Sequence, residues 1–170
     1  AFDPKTPLIF MAGPFTGTAI PGSALYNVVS KSPLTGFTVG RARSNGFFAP
    51  ELKFAGFDGI IIQGKAKSPV YLWIHDGETQ IREAKDLWGK DTIETTSLIQ
   101  RELGDPRIRV SCIGHAGEAL CKMACVINEH HAAGRGGLGA VMGSKRLKAI
   151  AVRGKARIPV FDEKRLLTVR

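Results

Sequence analysis

The stretch His131-Ala132-Ala133-Gly134-Arg135-Gly136-Gly137-Leu138-Gly139-Ala140-Val141-Met142-Gly143-Ser144-Lys145 is the densest glycine region of the chain. Glycines let backbone N–H groups converge on an anion, because no Cβ blocks the approach or resists positive φ. Arg135 adds a planar, permanently charged donor fork suited to phosphate. A helix opening at Leu138 would add a favourable dipole to the same anion. The spacing excludes two familiar phosphate loops. Ser144 precedes Lys145, and three residues separate Gly139 from Gly143, which is neither the Walker A order nor the dinucleotide-binding fingerprint. A second candidate is Arg41-Ala42-Arg43-Ser44-Asn45-Gly46, where two arginines, a hydroxyl and an amide precede a glycine. Read without function, the first stretch is a tight packing element and the second a solvated basic turn.

Other chemistries find little support. His130 and His131 are adjacent, so their side chains diverge on any regular element, and His75 and His115 lie far away; no metal-ligand spacing appears. Cys112, Cys121 and Cys125 are odd in number and fit neither a zinc nor an iron–sulfur pattern. They read as free thiols of a reducing compartment, with Cys121 and Cys125 on one helical face as small buried hydrophobes. Glu51 and Glu118 read as cap or surface residues, and no nucleophile–base pair suggests a catalytic residue.

These loops need elements to hold them. The chain has 170 residues, 44% hydrophobic and 23% charged, values that exclude disorder and suit one domain with a buried core. No apolar run reaches the roughly 18 residues of a membrane span, and the start lacks signal-peptide form, so a cytoplasmic location is expected. The net charge of +9, from 24 basic and 15 acidic residues, favours anionic ligands without naming one. Strands are expected over 7–12, 26–29, 37–41, 58–63 (buried on both faces), 107–113 and 147–153. Asp76-Gly77 marks a hairpin between 70–75 and 79–83. Pro50 opens a short helix that Gly56 ends. The clearest helix is 92–103, with Asp91 and Glu94 as a capping box, apolar Ile93, Leu98, Ile99 and Leu103, and Gly104 as its stop. A last helix starts at Asp162, and both ends of the chain look unfinished.

The sequence also matches itself. Shifted by 90 positions, the eleven residues from Ile60 to Val70 fall on those from Ile150 to Val160 with six identities, where average residue usage gives roughly one. The same shift lays Gly46 on Gly136 and Arg43-Ser44-Asn45 on Ala133-Gly134-Arg135. Ala12-Gly13-Pro14 resembles Ile113-Gly114-His115. Two pseudo-equivalent halves, about 7–75 and 107–160, would each offer a polar, glycine-containing loop to a ligand on the local twofold.

Several long motifs, in order, resemble the aldehyde:ferredoxin oxidoreductase family. They are Ala12-Gly13-Pro14-Phe15-Thr16-Gly17, the run from Tyr26 to Phe37, the run Glu51-Leu52-Lys53-Phe54-Ala55-Gly56-Phe57-Asp58, and the run from Ala132 to Lys145. The resemblance implies an α+β fold of two pseudo-symmetric β-rich halves with interspersed short helices, here one cofactor-binding domain over 1–170. It implies a tungsten or molybdenum bispterin, with Mg2+ bridging the pterin phosphates. Ala132, Ala133, Gly134 and Arg135 would contact one pterin and Arg43, Asn45 and Gly46 the other. The [4Fe–4S] ligands and the acid and histidine near the metal would lie in further domains, leaving this chain inactive alone. The implied reaction oxidises an aldehyde to a carboxylic acid and passes electrons through the cluster to ferredoxin, in a protein with homodimers in reach and no nucleic-acid or membrane partner. The family often has an arginine where this chain has Leu25, a loss that Arg41 or Arg43 would offset. Two other classes compete: a basic nucleic-acid-binding module with Phe47 and Phe48 stacking on bases, and a scaffold remnant without cofactor.

Overall fold

A computed structural model describes residues 1–169. The first unit is β1 (Leu8–Ala12), β2 (Tyr26–Lys31), β3 (Val39–Ser44), α1 (Phe48–Phe54) and β4 (Gly59–Ile62). Its strands form an antiparallel sheet in the order β3-β2-β1-β4. The hairpin β5 (Val70–His75) and β6 (Glu78–Glu83), a 3-10 turn at Lys85–Leu87 and α2 (Thr92–Leu103) follow. The chain then runs through β7 (Arg109–Cys112), α3 (His115–Glu118), β8 (Val126–Asn128), β9 (His131–Ala133), α4 (Leu138–Ser144), β10 (Leu147–Arg153) and α5 (Glu163–Val169).

The second sheet has the order β6-β5-β10-β7-β8-β9. Within it, β9-β8-β7-β10 has the order and antiparallel pairing of β3-β2-β1-β4, with α4 in the chain position of α1. The hairpin β5-β6 extends this sheet beyond β10, with β5 parallel to β10. The first unit therefore closes at Ile62 rather than at residue 75, because β5 pairs into the other sheet. The ladders also move the alignment of the two loops by one residue. Arg43 stands opposite Asn27, and Ala132 opposite Ile127, so Arg43 corresponds to Ala132 and Ser44 to buried Ala133. A one-residue slip reverses which side chains face the core, so the shift of 90 had paired an outward residue with an inward one.

One core joins both sheets through α1 and α4. Phe10, Tyr26 and Phe48 cluster with ring centroids 5.0 to 6.3 Å apart, and Leu138, Val141, Ile150 and Val152 close the other side. On the opposite face of β10, Ala149 and Ala151 pack with Tyr71, Trp73 and Ile99 beneath α2. A strand buried on both faces is what the apolar run 147–153 requires. Asp91 accepts from the amides of Ile93 and Glu94, Glu94 answers back to Asp91, and Gly104 takes the left-handed conformation at φ 72°. The capping box and stop are as the sequence predicts.

Other expectations give way. β4 lies at a sheet edge with Ile61 two-thirds exposed, because it pairs only with β1 and turns one face outward. Ile93 is exposed on the outer side of α2, where Thr95 and Ile99 are buried instead. Residues 121–125 form no helix, and Cys121 is exposed and Cys125 half-buried. Only Cys112 is buried, and burial pushes its thiol up to about 12. Alkylation at neutral pH should therefore label Cys121 and Cys125 in the native protein and Cys112 only after unfolding, since the thiolate is the nucleophile; mass spectrometry of the labelled peptides checks this. Glu51 and Glu118 are not surface acids. Glu51 accepts from Arg153 Nη1 and from the Gly154 amide, each at 2.9 Å, and Glu118 pairs with fully buried Lys148. No helix of the described residues is long and apolar enough to cross a membrane.

Candidate functional site

The site grows from the two outermost strands of corresponding position, β3 and β9, which lie side by side where the two sheets meet. Along β3, Gly40, Ala42 and Ser44 turn inward, and alternation sends Arg41 and Arg43 outward together. β9 turns His131 and Ala132 out and Ala133 into the core. The chain leaving β9 doubles back onto β3 through Gly136 and Gly137, both at positive φ near 70°. A methyl group on Gly136 would sit 3.1 Å from the Gly40 Cα, and one on Gly137 would run into the Lys122 carbonyl. Ser32 Oγ donates to the Gly136 carbonyl at 3.0 Å and fixes the approach. Glycine is required here by crowding and backbone conformation alike.

The result is an open cavity of 680 Å³ lined by Arg41, Ala42, Arg43, Ala132, Gly134 and Arg135. The two loops that the sequence singled out, from distant parts of the chain, meet in it. Among the described residues no carboxylate pairs with Arg41, Arg43 or Arg135, whereas Arg82, Arg107, Arg109 and Arg153 all have acidic partners. Three guanidinium groups without counter-charge, beside an exposed glycine backbone, make a receptor for an anion of more than one charge.

Three of the predicted residues do not line this cavity. Ala133 lies in the core, fully buried. Asn45 and Gly46 lie past the end of β3, where the Asn45 carbonyl accepts from Asn128 Nδ2 at 2.7 Å and Gly46 abuts Asn128 and Glu129. The amino end of α4 does not face the cavity either. All seven residues of α4 are buried, and the Gly139 amide donates to the Ala124 carbonyl at 3.0 Å.

Beneath the cavity a buried polar group ties the two sheets together. Asn128 Oδ1 accepts from Tyr26 Oη at 2.8 Å and Ser44 Oγ at 2.6 Å, and Tyr26 Oη is 3.1 Å from Ser111 Oγ. Burial raises the Tyr26 phenol well above its ordinary range, so it remains a neutral donor. Asn128 sits in a strand of three residues, and its partners are scores of positions away; no local pattern in the sequence marks it. Among the described residues no group of three or more His, Cys, Asp or Glu is arranged to hold a metal ion.

Fold and site together define a β-rich domain, an antiparallel sheet and a mixed sheet joined edge to edge under an arginine-lined cavity. The chain belongs to the aldehyde ferredoxin oxidoreductase N-terminal domain family, whose model matches residues 1–154. It is 51% identical over 167 residues to the tungsten-containing aldehyde ferredoxin oxidoreductase of Pyrococcus furiosus and 52% identical over 169 residues to that of Pyrococcus abyssi. It covers 98% and 99% of its own length in these matches, but only 27% and 28% of theirs. It is 41% identical to a Pyrococcus furiosus protein named aliphatic sulfonate oxidoreductase, WOR-like subunit, covering 94% of this chain and 27% of that protein. Among solved structures, it superposes with a TM-score of 0.96 and 42% identity on a chain of the active site complex BamBC of benzoyl coenzyme A reductase in complex with 1,5-dienoyl-CoA, over 99% of this chain and 26% of that one.

Proposed function

We propose that this chain is the cofactor-cradling part of a tungsten- or molybdenum-dependent oxidoreductase, and that its cavity holds the phosphate end of a pterin cofactor. The observation that carries the reading is the meeting of Arg43 and Arg135, without acidic partners, across one cavity open to the exposed backbone of Gly134. The donor set fits the group, because pterin phosphates need charge-assisted N–H donors and a close-approaching backbone, and both are present. Arg135, Ala132 and Gly134 serve one side of the ligand and Arg43 the other. Asn45 and Gly46 shape the Arg43 side through the Asn128 contact, and Ala133 anchors β9 from beneath. The two β-β-β-α-β units, the second with α3 inserted after its first strand, are two pseudo-equivalent halves whose loops would close on one doubly phosphorylated ligand, and Mg2+ would add to the charge that neutralises it.

When bound, the metal supplies two-electron redox chemistry; the chain's own residues bind, orient and neutralise. The relatives that share this domain carry different substrate names, aldehyde and aliphatic sulfonate. A domain shared across such substrates suits the common cofactor rather than the choice of substrate. Aldehyde oxidation, with electrons leaving through a [4Fe–4S] cluster to ferredoxin in the cytoplasm, is the reaction favoured by the 51% relative.

The test is metal and pterin analysis of the intact protein purified without air, for the parent and for Arg135→Ala. Stoichiometric tungsten or molybdenum with pterin is expected in the parent. Arg135→Ala should retain the cofactor roughly ten-fold less well, as expected for the loss of a hydrogen bond to a charged group. A parent lacking both metal and pterin would end the reading.

A further inference from the structure

A second cavity, of 300 Å³, adjoins the first beneath the loop between β1 and β2, and its lining includes Gly13, Thr16, Ser23, Asn27, Arg41 and Arg43. Arg41 and Arg43 line both cavities and stand at their junction. The roof is built rather than loose. Thr16, 1% exposed, accepts from the Gly13 amide at 3.0 Å and donates to the Ser23 carbonyl at 2.8 Å, which holds the two ends of the loop together.

Arg41 differs from its neighbours in being aimed. Its Nε donates to Asn27 Oδ1 at 2.8 Å, while its terminal guanidinium nitrogens have no protein partner among the described residues. Asn27 stands directly opposite Arg43 in the β2–β3 ladder, on the outward face of the sheet. An arginine held at Nε keeps its other donors free in a fixed plane, which suits an oxyanion with two adjacent oxygens. No carboxylate lines either cavity to compete for those donors.

We propose that Arg41, oriented by Asn27, is an anion-holding residue in its own right, and that the anion site extends past the larger cavity into the one roofed by the 13–25 loop. The ligand group is a phosphate or a chemically equivalent oxyanion. This rests on the cofactor-cradle reading, since the same ligand would present one anionic group to Arg135 and another to Arg41. Arg43, shared by the cavities, then contributes to both.

The probe is inorganic phosphate, titrated by calorimetry and counted by equilibrium dialysis against the intact protein stripped of metal and pterin. The parent should bind phosphate in each cavity. Arg41→Ala should lose one of the two sites, with affinity there falling on the order of ten-fold or more, and Arg135→Ala should lose the other. Arg41→Lys keeps the charge without the donor fork and should fail to restore the site; Asn27→Ala should weaken that same site while leaving the charge untouched. A charge control, Arg157→Ala, should change neither. If Arg41→Ala keeps both sites while Arg135→Ala loses one, the Arg41 assignment is overturned and the cradle reading stands. A parent that binds no phosphate removes both. Circular dichroism of each variant separates lost binding from lost folding.

Discussion

Replacing Glu118 by glutamine should destabilise the protein by about 3 kcal/mol or more, because it leaves the Lys148 ammonium charged and buried without its carboxylate. Lys148 is fully buried on β10, where its Nζ donates to the Lys90 carbonyl at 2.6 Å and to Glu118. Glu118 also accepts from the Gly89 amide at 3.0 Å, so one carboxylate links α3, β10 and the turn before α2. The pair itself need not be a net stabiliser, since removing two charges from water offsets much of their attraction. The asymmetry gives the prediction its content. Lys148→Met together with Glu118→Gln should recover most of the loss, because both charges then leave the core. Denaturant titration at neutral pH measures this as a shift in midpoint at unchanged slope. The consequence reaches the cavity, because α3 packs on α4 and α4 follows directly from the Arg135 loop. A single Glu118→Gln variant as stable as the parent would show that this corner does not anchor α3.

How much of this was legible beforehand divides along local and distant interactions. The Asp76-Gly77 hairpin and the capping box on α2 are set within a few residues, and the sequence states each of them; burial on both faces, expected for 58–63, belongs instead to β10. The two glycine- and arginine-bearing loops could be picked out for the same reason, since those residues reveal themselves by type, although Asn45, Gly46 and Ala133 do not line the cavity the loops share. β8 and β9 were not. Each has three residues, and their turn places Glu129 at φ 51° rather than using the Asn-Gly or Asp-Gly signal. The partners of Glu51 and Glu118 lie 102 and 30 positions away, and nothing local distinguishes a buried ion-pair acid from an exposed one. Ile61 and Ile93 show the converse error. Apolar type alone places a residue inside, while an edge strand and a one-sided helix leave part of their apolar surface out. Arg41 was visible as one of two loop arginines. Its aim at Asn27 exists only once β2 and β3 pair.

The largest effect on the site itself should come from Asn128. Its amide is 1% exposed and engaged at both ends: Oδ1 accepts from Tyr26 and Ser44, and Nδ2 donates to the Asn45 carbonyl. The orientation follows from the Asn45 carbonyl, which can only accept and so takes the Nδ2 side. Asn128→Leu keeps the branched shape and removes the acceptor of Tyr26 and Ser44 and the donor to the Asn45 carbonyl, leaving Tyr26 Oη only Ser111 Oγ beside it. Each unsatisfied buried group costs about 1–3 kcal/mol, so a loss of roughly 3–5 kcal/mol is expected, near the whole margin of many domains. Adding Tyr26→Phe and Ser44→Ala to that variant should return part of the stability, since two of the stranded groups are then gone. Asn128→Asp should also destabilise, by setting a carboxylate oxygen against the Asn45 carbonyl. The cavity supplies a second readout. Ser44 and Asn45 flank the outward Arg43 on one side, and β8 carries the hairpin to Ala132 and Gly134 on the other. Loss of the amide should therefore lower cofactor retention in the intact protein more than an equally destabilising change beneath α2, such as Ile99→Ala. Equal retention in the two variants at matched stability would reduce Asn128 to an ordinary core residue, and would leave the two halves free to place their arginines independently.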